Sequence, residues 1–91
     1  MNYEEIQKHL SKISGWILKN ENKSIFKEFN FKDFVEAINF VKIVAEIAEK
    51  ENHHPDIHIF YNKVLIELST HDINGLSEND FILAAKIDAN N

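Results

Sequence analysis

The chain has no cysteine, one proline and only two glycines among its 91 residues. Without cysteine there is no disulfide, no thiolate nucleophile and no cysteine-ligated zinc or iron–sulfur centre. So few glycines and prolines leave little material for a flexible linker or a glycine-rich phosphate loop. A positive charge balance is missing too: ten basic against fifteen acidic residues give a formal charge of −5. Affinity for nucleic acid rests mainly on cationic contacts to phosphate, so direct DNA or RNA binding is not expected. The opening Met1-Asn2-Tyr3-Glu4-Glu5 carries acids and no apolar run. Neither a signal peptide nor a membrane span is therefore expected there, and the cytosol is the expected compartment.

What the chain does have is apolar material. Hydrophobic residues make up 44% of it, including seven phenylalanines, two tyrosines and a tryptophan. That is ample for one core and too little chain for two, so residues 1–91 are expected to form a single domain. A monomer of this size is marginally stable, which makes further burial through self-association a natural expectation.

Local patterns predict the order α-β-β-α-β-β-α. Asn2 with Glu5 three residues on forms a capping box. Ile6, Leu10 and Ile13 follow at helical spacing and Gly15 offers a stop, predicting a helix over residues 3–13. Residues 16–20 and 24–31 are rich in strand formers, and the polar Asn20-Glu21-Asn22-Lys23 between them suggests a hairpin. Lys27 breaks the alternation there, falling on the side of Ile25, Phe29 and Phe31. The stretch from Lys32 to Glu51 is the strongest helix and has two apolar seams. Phe34, Ile38, Val41 and Ala45 trace one; Phe40, Ile43 and Ile47 trace the other. A helix on a small sheet needs one apolar face. The second seam is expected to need a cover, most simply another subunit. Residues 57–61 and 63–70 read as strands, with Val64, Ile66, Leu68 and Thr70 alternating against Leu65, Glu67, Ser69 and His71. Ser77 with Asp80, flanked by Leu76 and Phe81, signals the start of a last helix over residues 78–89. The fold class expected is α+β, an antiparallel sheet with helices on one face.

Four of the five histidines, His53, His54, His58 and His71, fall within 19 residues. Imidazole titrates near neutral pH, so such a cluster suits proton transfer. His53 and His54 stand between the long helix and Pro55, which biases His54 to an extended backbone. His71 ends a strand. Taken singly, His53 would more often just complement a helix C-terminus, and His58 reads as a surface residue. His9 has no adjoining chemistry. His54 and His58 have a spacing that chelates zinc on a helix, but Pro55 and the strand-like run after it oppose a helix there. Ser69 and Thr70 beside His71 do not make a nucleophile–base pair, because neighbouring strand side chains point to opposite faces.

The blocks Ala48-Glu49-Lys50-Glu51-Asn52-His53-His54-Pro55, Tyr61-Asn62-Lys63-Val64, Leu68-Ser69-Thr70-His71 and Gly75-Leu76-Ser77-Glu78-Asn79-Asp80 resemble the pterin-4a-carbinolamine dehydratases. So do Gly15-Trp16 and the run from Ile25 to Phe34, and the resemblance covers nearly the whole chain. It implies a four-stranded antiparallel sheet with three helices on one face. It also implies a hydro-lyase that takes water from 4a-hydroxytetrahydrobiopterin to give quinonoid dihydropterin, recycling the pterin, with no metal or organic cofactor. By this match His53, His54 and His71 are the catalytic histidines: His53 and His71 form an acid–base pair, and His54 holds the pterin. Glu49, one turn before His53, is expected to support it, and Glu49 and Asp80 are matched to substrate binding. Family members assemble as homodimers through sheet edges and as homotetramers through the long helix, here residues 33–51. Some animal members also act as dimerisation cofactors of a transcription factor, the alternative function for this chain. Asn52, Ile57 and Asn79 depart from the animal pattern, where aspartate, tryptophan and arginine are frequent.

Overall fold

The structure, a computed structural model, describes all of residues 1–91. Its elements are α1 (Tyr3–Leu10), β1 (Ile17–Lys19), β2 (Ser24–Asn30), α2 (Phe34–Glu51), β3 (Asp56–Phe60), β4 (Lys63–Leu68) and α3 (Glu78–Ala89), with a short 3-10 turn at His71–Ile73. The strands form one antiparallel sheet in the order β1-β2-β4-β3, leaving β1 and β3 as edges.

The alternation along β4 decides which face of the sheet is covered. Val64, Ile66 and Leu68 are buried, and their partners across β2 are Phe29, Lys27 and Ile25. Against them pack Ile6 of α1, Ala37, Phe40 and Val44 of α2, and Phe81, Leu83, Ala84 and Ile87 of α3. Each fully buried Ile or Leu here contributes roughly 1.5–3 kcal/mol. Lys27 does fall on the side of Ile25 and Phe29. It lies on the core face and runs out along the aromatics, with Nζ 5.0 Å from the Phe29 ring centre. The ammonium then donates to Asp88 Oδ1 and to the Ser14 carbonyl, both at 2.9 Å. A long aliphatic stem with a polar tip is what allows a lysine at such a site.

Three expectations are corrected by the packing. The first helix ends at Leu10, capped by Ser11, rather than running to residue 13. Gly15 is not its stop: it lies beyond the helix at φ +83°, where an added Cβ would stand 2.9 Å from Lys27 Cε. The sheet takes the residues between the two seams of α2 together with the near edge of each. Phe40, assigned to the seam that needed a partner, is only 4% exposed and sits on the sheet with Ala37, Val44 and Ala48. Ile47 packs at the margin of that core, leaving Ile43 the exposed member of the seam. On the other flank Val41 also packs at the core margin, while Phe34, 50% exposed, and Ala45 face outward and Ile38 is half-buried. The reason is geometric: at 100° per residue, positions 37, 40, 44 and 48 share one narrow arc. The two alanines at its ends let the helix lie close to the sheet.

Candidate active site

The site is assembled where three elements end. Helix α2 stops at Asn52, which takes the left-handed conformation (φ 51°, ψ 41°) and donates its N–H to the Ala48 and Glu49 carbonyls. Asparagine is among the few side chains that tolerate this geometry. It turns the chain off the helix path, so His53 and His54 do not continue the helix surface. Strand β4 ends at Leu68, and Ser69 leads on to Thr70. Thr70 exchanges backbone hydrogen bonds with Gly75 at 2.8 and 3.3 Å, closing a tight loop that carries His71. Helix α3 begins at Ser77, its N-cap.

An open cavity of ≈ 210 Å³ lies between these ends, walled by Asn52, His53, His54, Ser69, Thr70, His71 and Asp72. All three histidines singled out by the resemblance therefore face one polar space. His58 does not: it pairs with Leu65 on the uncovered face of the sheet. His9 stacks on Phe81 between α1 and α3, with ring centres 5.0 Å apart. No three of the chain's His, Asp and Glu side chains are grouped closely enough to hold a metal ion.

Behind the cavity stands Asp80, 0% exposed in the first turn of α3. Its Oδ1 is 2.6 Å from His53 Nε2. Its Oδ2 accepts from Thr70 Oγ1 at 2.8 Å and from the Ser77 N–H at 3.0 Å. A buried carboxylate is strongly destabilising unless paired and hydrogen-bonded, and here both oxygens are engaged. The helix N-terminus adds a favourable field. The same side chain thus both caps α3 and holds the His53 ring. Asp80 itself is fully covered, with Oδ1 on the His53 ring and Oδ2 on Thr70.

Glu49 is paired with the neighbouring histidine. It does not reach His53; its Oε2 meets Nε2 of His54 instead, at an exposed position. The left-handed turn at Asn52 is the cause, since an i, i+4 relation holds only while the helix continues. Thr70, Ser77 and Asn52 are the residues that sequence reading did not place in the site. Thr70 had a signal: it continues the inward-facing side of β4. The Ser77–Asp80 capping pattern had another.

The family described as pterin 4 alpha carbinolamine dehydratase matches residues 1–90 of this chain. A Rhizobium meliloti protein provisionally named a pterin-4-alpha-carbinolamine dehydratase is 53% identical over 83 residues, covering 91% of this chain and 80% of that protein. One from Sulfurisphaera tokodaii, with the same provisional name, is 49% identical over 85 residues, covering 93% and 89%. The crystal structure of a transcriptional coactivator/pterin dehydratase from Brucella melitensis superposes with a TM-score of 0.92 at 36% identity, covering 98% of this chain and 95% of that one. A pterin dehydratase-like protein identified as a RuBisCO assembly factor in the alpha-carboxysome is a more distant likeness, with a TM-score of 0.71 at 25% identity over 82% of this chain and 87% of that one. With the family match running over all but the last residue, the chain belongs to the pterin-4a-carbinolamine dehydratase family.

Proposed function

We propose that this chain is a hydro-lyase that converts 4a-hydroxytetrahydrobiopterin to quinonoid dihydropterin and water, by histidine acid–base catalysis in tetrahydrobiopterin recycling. One observation carries the reading: His53, His54 and His71 line a single polar cavity, and His53 is backed by a buried carboxylate. The reaction needs a proton delivered to the departing 4a-hydroxyl and a proton taken from a ring nitrogen. Two imidazoles lining one cavity suit that, because imidazole can give or take a proton near neutral pH. His53 and His71 form this pair, and the proton lost by one is balanced by the proton gained by the other. His54, exposed and paired to Glu49, holds the pterin at the rim.

The test follows decay of enzymatically generated 4a-hydroxytetrahydropterin with and without the protein. The wild type accelerates it, and His53→Ala together with His71→Ala removes roughly 10²–10⁴ of that acceleration, the usual contribution of positioned acid–base groups. An unaccelerated wild-type reaction sinks the proposal.

We further propose that residues 1–91 act as one cytoplasmic domain, assembled as a dimer or tetramer through sheet edges and the outward seam of α2. Phe34, Ile38 and Ala45 on that seam lie outside the packed core and offer the apolar surface that a bundle of long helices requires. The coactivator half of the Brucella protein's description favours a second reading, in which this seam binds another protein. Sedimentation of the wild type and of Ile38→Glu with Ala45→Glu separates them: a self-associated wild type that the variant dissociates supports the homo-oligomer.

A further inference from the structure

The polar cluster behind His53 fixes the position of every proton in it, and this has a chemical consequence. An ionised carboxylate only accepts. The Ser77 N–H can only donate, and it takes up Asp80 Oδ2 together with the Thr70 hydroxyl. Thr70 has one hydroxyl proton, already given to Asp80. The 2.7 Å contact between Thr70 Oγ1 and Ser77 Oγ must then carry the Ser77 proton toward Thr70. Donors thus run in one direction, from Ser77 to Thr70 to Asp80 Oδ2. Oδ1 is left for the imidazole, and at 2.6 Å His53 Nε2 must be its donor. The remaining ring nitrogen, Nδ1, has no hydrogen bond within the protein. It is not sealed off either, since no buried side-chain nitrogen or oxygen lacks a partner. His53 lines the cavity, and with Nε2 engaged by Asp80, Nδ1 is the one ring nitrogen left free to meet a molecule there.

We infer that His53 exchanges its proton with the substrate through Nδ1, and that Thr70 is the positioning residue that keeps it so. This rests on the dehydratase reading for its chemistry but not for its geometry. Thr70 acts by holding one carboxylate oxygen, which stops Asp80 from rotating and keeps Oδ1 aimed at Nε2. Pinning Nε2–H has two effects. It holds the neutral ring in the tautomer whose lone pair is on Nδ1, and it keeps a carboxylate against the imidazolium formed when Nδ1 gains a proton. Ser77 stands one step further back, holding Thr70.

The experiment pairs a spectroscopic readout with a kinetic one. Long-range nitrogen–proton correlation spectra of uniformly ¹⁵N-labelled protein, recorded where the imidazoles are neutral, report which nitrogen of His53 bears the proton. Wild type shows His53 protonated at Nε2. Thr70→Val keeps the shape and loses the hydroxyl; His53 then shows mixed tautomers, and kcat falls about tenfold or more with KM little changed, as for loss of an oriented proton-transfer group. Thr70→Ser restores both. A wild-type His53 protonated at Nδ1 overturns the inference regardless of how the variants fold. So does a folded Thr70→Val that keeps tautomer and kcat. A wild type with the Nε2–H tautomer and no dehydratase activity overturns the functional reading instead, leaving the positioning by Thr70 in place.

Discussion

Asp80 in the first turn of α3 and Asp88 near its last each gather donors from distant parts of the chain. Asp80 takes His53, Thr70 and the Ser77 N–H. Asp88 takes the Trp16 indole N–H and the Lys27 ammonium, each at 2.9 Å. Their electrostatic settings are opposite. Asp80 sits at the positive end of the helix dipole, whereas Asp88 sits near the negative end and is compensated by the Lys27 charge. Their outlets differ more. Every partner of Asp88 is itself packed against the core: Trp16 is buried and Lys27 lies over Phe29. One partner of Asp80, His53, opens onto a cavity lined by two further histidines. A polar cluster that closes on itself holds a fold together. One that ends in a titratable ring facing an open space is a site.

Substitution at the two ends should separate these roles. Asp80→Ala carries the largest effect. It strands the Thr70 hydroxyl, the Ser77 N–H and the His53 ring N–H, and costs roughly 2–4 kcal/mol in urea unfolding. It also lowers kcat about a hundredfold, because His53 loses its orientation. Asp88→Ala is expected to cost roughly 1–3 kcal/mol by leaving the indole N–H and a mostly covered ammonium without their acceptor. Its kcat at a temperature where it is folded equals that of the wild type. If Asp88→Ala slows turnover as much as Asp80→Ala, the distinction between the two ends is wrong.

The same contrast explains how much of this molecule was legible in its sequence. Periodicity found all seven regular elements and their order, since Val64, Ile66 and Leu68 or Ile6 and Leu10 repeat at the spacing their element requires. It misjudged α2, because the sheet covers the residues between the two seams and draws on both. It also read Lys27 as an irregularity, since its acceptor Asp88 lies 61 residues away in the chain. At the site, the resemblance singled out His53, His54 and His71, and the structure brings them to one cavity. Their supports were mostly hidden. The Asp80–His53 pair spans 27 residues and Thr70–Asp80 spans ten, so no local pattern reports them. The 3-10 turn at His71–Ile73 is similarly a product of the Thr70–Gly75 bridge, not of any helix signal in His71-Asp72-Ile73.

Glu49 sharpens the comparison from the weak side. It lies only four residues before His53, and helical spacing would make it the natural partner of that ring. Asn52 removes the helix before His53 is reached, and Glu49 meets His54 at a site where both side chains are largely exposed. Exposed ion pairs contribute little, because water screens them and two long side chains must be held still. Glu49→Gln is therefore expected to change KM by about twofold to fivefold through a looser His54, with kcat and unfolding midpoint held. Steady-state kinetics on the variant decide it. A drop in kcat comparable to that of Asp80→Ala would mean that Glu49 serves His53 after all, and that the buried aspartate is not the sole carboxylate behind that ring.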